Sequence, residues 1–240
     1  MRTLNDLVTA GKILHAAVSD APVWAVAECN TMAKERHWAP FDCLQYKHSL
    51  LDRTIERDVL HYARHRNTTV VTWDVYVSVA VMGRICACQC VTCLCVHAFA
   101  RLGGGRLTGK YRRPAAEDDD SKSEEVDSMR AKSWGITVTD KQYDIIEEVV
   151  AIAEELDTTP ARVSLAWSLR QSNVLPLVGA RTLKQLKDNL GAMELPLSQE
   201  HMDRLNTVTN IELGFVQEFI GSTYEENPWA TTVKVFAKAK

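Results

Sequence analysis

Side chains suited to chemistry stand where four apolar runs end. Ser19 and Asp20 close ILHAAVSD, Gln45 comes near the end of FDCLQY, Trp73 ends NTTVVTW, and Gly179, Ala180 and Arg181 complete VLPLVGAR. A hydroxyl, a carboxylate and a carboxamide can share a polar ligand through hydrogen bonds. An indole face can restrain a flat ring, and Arg181 supplies a cation at a strand-to-helix step, which by itself reads as a solvated helix start. Gly103, Gly104 and Gly105 precede Lys110. Glycines allow close backbone approach and a lysine is a point charge, although the triplet alone reads only as a flexible turn. Cys86, Cys88, Cys90, Cys93 and Cys95 form C-x-C-x-C-x-x-C-x-C. Such thiolates suit soft metals, whereas zinc sites generally set C-x-x-C pairs on separate turns.

The elements that must position these groups alternate. LNDLVTAG at 4–11 reads as the end of an amphipathic helix closed by Gly11, and ILHAAVS as a buried parallel strand. Ser19 or Asp20 then opens a helix with Pro22 in its first turn. A second strand is expected at 41–46, a helix over Arg53–Arg66 and a β-branched strand at 67–73. Helices follow at about 140–156 and 159–171, a fourth strand at 174–180, and helices over Leu183–Met193 and Ser198–Val208. Short βα connections of this kind build a parallel sheet with helices outside it, and four such units make half of an eight-stranded (β/α)8 barrel. The expected fold is therefore α/β, a partial TIM barrel, within a single incomplete domain over 1–240. Its open sheet edges favour self-association of two copies, completion by further chain, or an open sheet.

Composition points to small-molecule partners. With 28 Lys and Arg against 31 Asp and Glu, the net charge is −3, which favours neither nucleic acid nor an anionic membrane. The N-terminus MRTLNDLVTAGKIL has polar and charged residues where a signal peptide has its apolar run, so a cytoplasmic location is expected. Clustering of five of the seven cysteines argues against a distributed disulfide framework.

The segments GKILHAAVSDAPVWAVAECN, LQYKHSLLDRTIERDVL, LGGGRLTGKY and LPLVGARTLKQLKDNLGA together resemble the aldo-keto reductase superfamily. The branch most similar includes aryl-alcohol dehydrogenase-like and polyketide-pathway reductases. The resemblance implies a TIM barrel that binds NADP(H) without a Rossmann glycine fingerprint, and it covers nearly all of the chain outside 75–100. It assigns Ser19, Asp20 and Gln45 to the nicotinamide carboxamide and Trp73 to the aromatic position beneath the ring. Gly103, Gly104, Gly105 and Lys110 are assigned to the pyrophosphate, and Gly179, Ala180, Arg181, Gln185 and Asn189 to the adenosine end. There Arg181 favours the 2′-phosphate. His48, where relatives often carry tyrosine, and Phe215 and Phe219 in the tail IELGFVQEFI are implied substrate-pocket residues. Ala17 and Thr72 replace a common glycine and a common proline.

The same resemblance implies reduction of a small aldehyde or ketone, aromatic or polyketide-derived, with a tyrosine acid supported by lysine, aspartate and often histidine. Those four belong to the first half of the family's barrel, so the chain is expected to carry cofactor-binding surface without catalytic residues. Met1 then reads as an internal methionine. Residues 75–100 interrupt the turn between Trp73 and the glycine loop. Metal binding, a membrane span and translation through non-coding sequence such as a retained intron compete there, and composition and placement favour the last. Residues 115–133 read as an acidic surface loop, with a lid as the alternative. Rivals to an enzyme are a non-catalytic cofactor- or partner-binding protein and an inactive fragment.

Overall fold

A computed structural model of the chain describes residues 1–73, 107, 139–180, 182–215 and 217–218. Segments 75–100 and 115–133 and the sites Gly103, Gly104, Gly105, Lys110, Arg181 and Phe219 lie outside the described residues. The elements in chain order are α1 (Arg2–Thr9), β1 (Ala16–Ser19), α2 (Val23–Glu35), β2 (Phe41–Lys47), a 3₁₀ turn (Thr54–Arg57), α3 (Val59–Arg66) and β3 (Thr69–Trp73). After the undescribed stretch come α4 (Asp140–Glu155), α5 (Pro160–Leu169), β4 (Val174–Pro176), α6 (Leu183–Leu190), a 3₁₀ turn (Gly191–Met193) and α7 (Gln199–Val208). The strands are hydrogen-bonded in the order β1-β2-β3-β4, and β1 runs parallel to β2. Consecutive neighbours joined through helices are what parallel pairing requires.

The chain divides into two compact units. The first comprises Met1–Tyr46, Arg53–Val71 and Asn210–Lys240. Its core is built from alternate residues of the strands and one face each of α2 and α3, among them Ala16, Val26, Ala33, Leu44, Leu60, Ala63 and Val70. Asn30 is the polar exception. Its amide nitrogen donates to the Phe41 carbonyl (3.2 Å) and the Tyr62 hydroxyl (3.1 Å), and its oxygen accepts from the Phe41 N–H (2.8 Å). The buried amide is thereby satisfied, and α2 is tied to the start of β2 and to α3. Gly11, at φ +66, ends the α1 turn as its sequence position implies.

Two expectations in this unit need correction. The helix foreseen over Arg53–Arg66 is broken at Asp58, whose φ of −145 is not helical and whose carboxylate accepts from the Val59 N–H, so that it caps α3. Pro22 is the N-cap of α2 and not a first-turn residue, because the chain leaves β1 through Asp20 and reaches helical geometry only at Val23.

The second unit comprises Lys47–Asp52 and Thr72–Thr209. Its core packs Ile145, Ile146, Val149 and Ile152 of α4 against Val163, Leu165 and Trp167 of α5 and Leu205 of α7. Thr139 and Gln142 form a capping box on α4, and Thr159 with Pro160 opens α5 as foreseen. Ser198 opens α7, with His201 as the reciprocal partner. Strand β4 ends at Pro176, well short of Ala180, and Leu177 to Ala180 run on as irregular chain. On α6, Leu183, Leu186 and Leu190 form an exposed apolar stripe at helical spacing.

Candidate functional site

In the first unit the structure brings three of the expected residues together. Parallel register places Ser19, the last residue of β1, opposite Gln45 of β2. Asp20 follows at φ +53, a left-handed conformation that an Asp tolerates better than most side chains. Its N–H donates to the Gln45 carbonyl (3.0 Å), and the Ser19 hydroxyl donates to the Asp20 carboxylate (2.8 Å). Ser19 and Asp20 are exposed and Gln45 is half-buried, so a hydroxyl, a carboxylate and a carboxamide are offered at one strand end. That donor and acceptor set fits a carboxamide: carboxylate and hydroxyl oxygens accept from an NH₂, and the Gln45 amide can donate to a carbonyl oxygen.

Tyr46, the next residue on β2, is buried and donates its hydroxyl to the Ala21 carbonyl. Burial pushes this phenol up to about 12, with the negative charges of Asp58 and Asp20 and the neighbouring Tyr62 adding to the effect. It is a permanent hydrogen-bond donor, unlike a group tuned to release its proton near neutrality. Burial raises the Cys43 thiol in the same strand, against a backbone hydrogen bond at Val71 that lowers it. The tail is tied to this unit through Arg57. The Arg57 guanidinium donates twice to the Glu212 carbonyl (3.1 and 2.9 Å), and the Gln217 amide donates to the Arg57 carbonyl. Phe215 lies between these anchors, with 77% of its surface exposed.

The second unit holds His48, Trp73, Gly179, Ala180, Gln185 and Asn189. The His48 N–H donates to the Trp73 carbonyl (3.0 Å). The His48 ring, with no exposed surface, lies 5.3 Å from the Trp167 ring at a 35° tilt. It is thus enclosed by core aromatic surface. Trp73 itself is half-buried. The preceding Thr72 is fully buried, and its hydroxyl has no hydrogen-bond partner, a cost that few native side chains carry. Asn189 of α6 is buried and donates its amide to the Gly179 carbonyl (3.2 Å), so it holds the turn after β4. Gln185 projects from the exposed face of α6, where its backbone N–H is capped by Thr182 (3.2 Å), and Ala180 is exposed.

Reading along the chain missed Tyr46, Arg57 and the capping role of His201. Tyr46 and Arg57 bond to backbone carbonyls 25 and 155 positions away. No local pattern signals such a partner. His201 occupies the third helical position, where the capping-box signature expects Glu or Gln.

The profile of the aldo/keto reductase family matches residues 1–81 and 94–210. A probable aryl-alcohol dehydrogenase of Saccharomyces cerevisiae is 31% identical over 92% of the chain and 58% of that protein. Norsolorinic acid reductase of Aspergillus flavus is 26% identical, over 93% of the chain and 47% of its own length. An aryl-alcohol dehydrogenase [NADP(+)] of Phanerodontia chrysosporium is likewise 26% identical, over 95% and 52%. The chain thus spans about half the length of these relatives. Among solved structures, the thermostable aldo-keto reductase Tm1743 superposes with a TM-score of 0.54 at 19% identity, over 87% of this chain and 53% of that one, a likeness of fold. With a parallel strand pair, helical crossovers and a family match over most of its length, the chain belongs to the aldo/keto reductase family.

Proposed function

We propose that this chain is the NADP(H)-binding part of an oxidoreductase that interconverts aldehydes or ketones with alcohols, on aromatic or polyketide-derived substrates. One observation carries the reading: Ser19, Asp20 and Gln45 converge at adjacent strand ends in a chain of this family. NADPH, when bound, supplies a hydride. Within the first unit, Ser19, Asp20 and Gln45 hold its carboxamide and so fix the orientation of the ring, a positioning effect that contributes to the rate only if the geometry is rigid. Within the second unit, the backbone after β4, held by Asn189, is suited to the adenosine end, where the chain's own N–H groups and Arg181 meet the 2′-phosphate. Trp73 supplies an aromatic face, and His48 supports it through the Trp73 carbonyl. Phe215 offers an apolar surface to an aromatic substrate.

Turnover by this chain alone is expected to be weak or absent, which supports a second reading, a cofactor binder without catalysis. The observation behind it is that the chain spans 58% of its yeast relative, while Tyr46, the buried phenol nearest Ser19 in register, holds its proton up to about 12. Titrating the full chain with NADPH while following tryptophan fluorescence tests both readings. Saturable quenching supports cofactor binding, and its absence at millimolar NADPH removes both. NADPH consumption with an aromatic aldehyde then separates enzyme from binder.

A further inference from the structure

We infer that Tyr46 is a positioning residue: its hydroxyl, bonded to the Ala21 carbonyl, holds the Ser19-Asp20 turn in the shape that presents the Ser19 hydroxyl and the Asp20 carboxylate to the cofactor. The inference rests on the NADP(H) reading above. It begins with a conformational problem. Asp20 sits at φ +53, where a β-carbon is disfavoured, and Ser19 and Asp20 are both exposed, so burial does not hold them. Hydrogen bonds must. The Asp20 N–H is tied to the Gln45 carbonyl at 3.0 Å, and the Ala21 carbonyl is tied to the Tyr46 hydroxyl. These two ties bracket the torsions between Asp20 and Ala21, and both come from consecutive residues of β2.

Neighbouring hydrogen bonds leave this job to Tyr46. In the first turn of α2 the Ala25 and Val26 N–H groups go to the Pro22 carbonyl (3.0 and 3.2 Å), one residue past Ala21. Alternation along the strand divides the labour: Gln45 is half-buried beside Ser19, while Tyr46 turns into the core and reaches the same turn from beneath. Asp58, Asp20 and Tyr62 are the titratable groups that bear on the phenol, and with burial they keep it protonated. The hydroxyl is therefore a donor throughout the range in which a reductase works.

The test is Tyr46→Phe in the full chain, with two ligands measured by tryptophan fluorescence. NADPH carries the nicotinamide carboxamide together with the adenosine phosphates, whereas 2′,5′-ADP carries the adenosine phosphates without a nicotinamide. Loss of one hydrogen bond that orders the turn is expected to raise the Kd for NADPH about tenfold and leave that for 2′,5′-ADP unchanged. Equal weakening of both ligands, or of neither, overturns the inference while leaving cofactor binding intact. Failure of the wild-type chain to bind NADPH removes the underlying reading and the inference with it. Should Tyr46→Phe not fold, replacement of Tyr46 by 3,5-difluorotyrosine gives the same answer from a folded protein. NADPH affinity should then fall as pH rises through the titration of the fluorinated phenol, and a profile matching wild type overturns the assignment.

Discussion

The buried amide of Asn189 donates to the carbonyl of Gly179 at 3.2 Å, linking the last turn of α6 back to the irregular stretch that precedes it. The family resemblance groups Asn189 with Gln185 at the adenosine end. In the folded chain they separate, because Gln185 is exposed while Asn189 is only 8% exposed and engages the backbone. Removing the amide should loosen the turn and not merely delete a ligand contact. Asn189→Ala is expected to lower stability by about 1 kcal/mol and to raise the Kd for 2′,5′-ADP several-fold. Urea unfolding and ligand titration read the two effects, and a stability loss with unchanged 2′,5′-ADP affinity would show that the turn has no part in binding.

Thr72 buries a hydroxyl without a partner beside Trp73. An isosteric Thr72→Val change removes the unsatisfied group and keeps the β-branched shape suited to β3. The midpoint of urea unfolding should rise, by about 1 kcal/mol in stability. A fall instead would mean that the hydroxyl has a bound partner in solution, such as a water.

Tyr46 also gives an alkaline signature. In the unfolded chain its phenol loses a proton near the ordinary value of 10, while in the folded protein it keeps it up to about 12. Between those values the unfolded state binds fewer protons, so stability is intact below about 10 and declines as pH rises toward 12. The wild-type unfolding midpoint should therefore fall more steeply over that window than the midpoint of Tyr46→Phe. Parallel slopes would contradict the raised phenol.

The family match breaks off between residues 81 and 94, inside the cysteine-dense segment 75–100. If that segment is foreign to the cofactor-binding turn, deleting 75–100 should lower the Kd for NADPH, by about tenfold if the glycine segment then reaches the pyrophosphate. Fluorescence titration of the two chains side by side measures it. Equal affinities would argue that the segment belongs where it stands.

Much of the architecture was legible before any coordinates. Alternating β-branched runs and helices with Ser, Thr and Pro at their starts marked most of the described elements, because those signals act within a few residues of chain. The fate of Arg53–Arg66 was not legible, since a cap at Asp58 competes with helical continuity and only the packed unit decides between them. The length of β4 was equally hidden: VLPLVGA reads as seven extended residues, yet the strand ends at Pro176.

For the site, the sequence by itself determined the types of group at the strand ends and, through GARTLKQLKDNLGA and its companions, the family to which they belong. Register, burial and long-range hydrogen bonds were decided only in the tertiary structure. They set Ser19 opposite Gln45, enclosed His48 against Trp167, left Phe215 in solvent and recruited Tyr46 to hold the Ala21 carbonyl. The reason is physical. Propensities and caps are local energies written along the chain, whereas a hydrogen bond between residues 25 or 155 positions apart exists only after the strands and helices between them have packed.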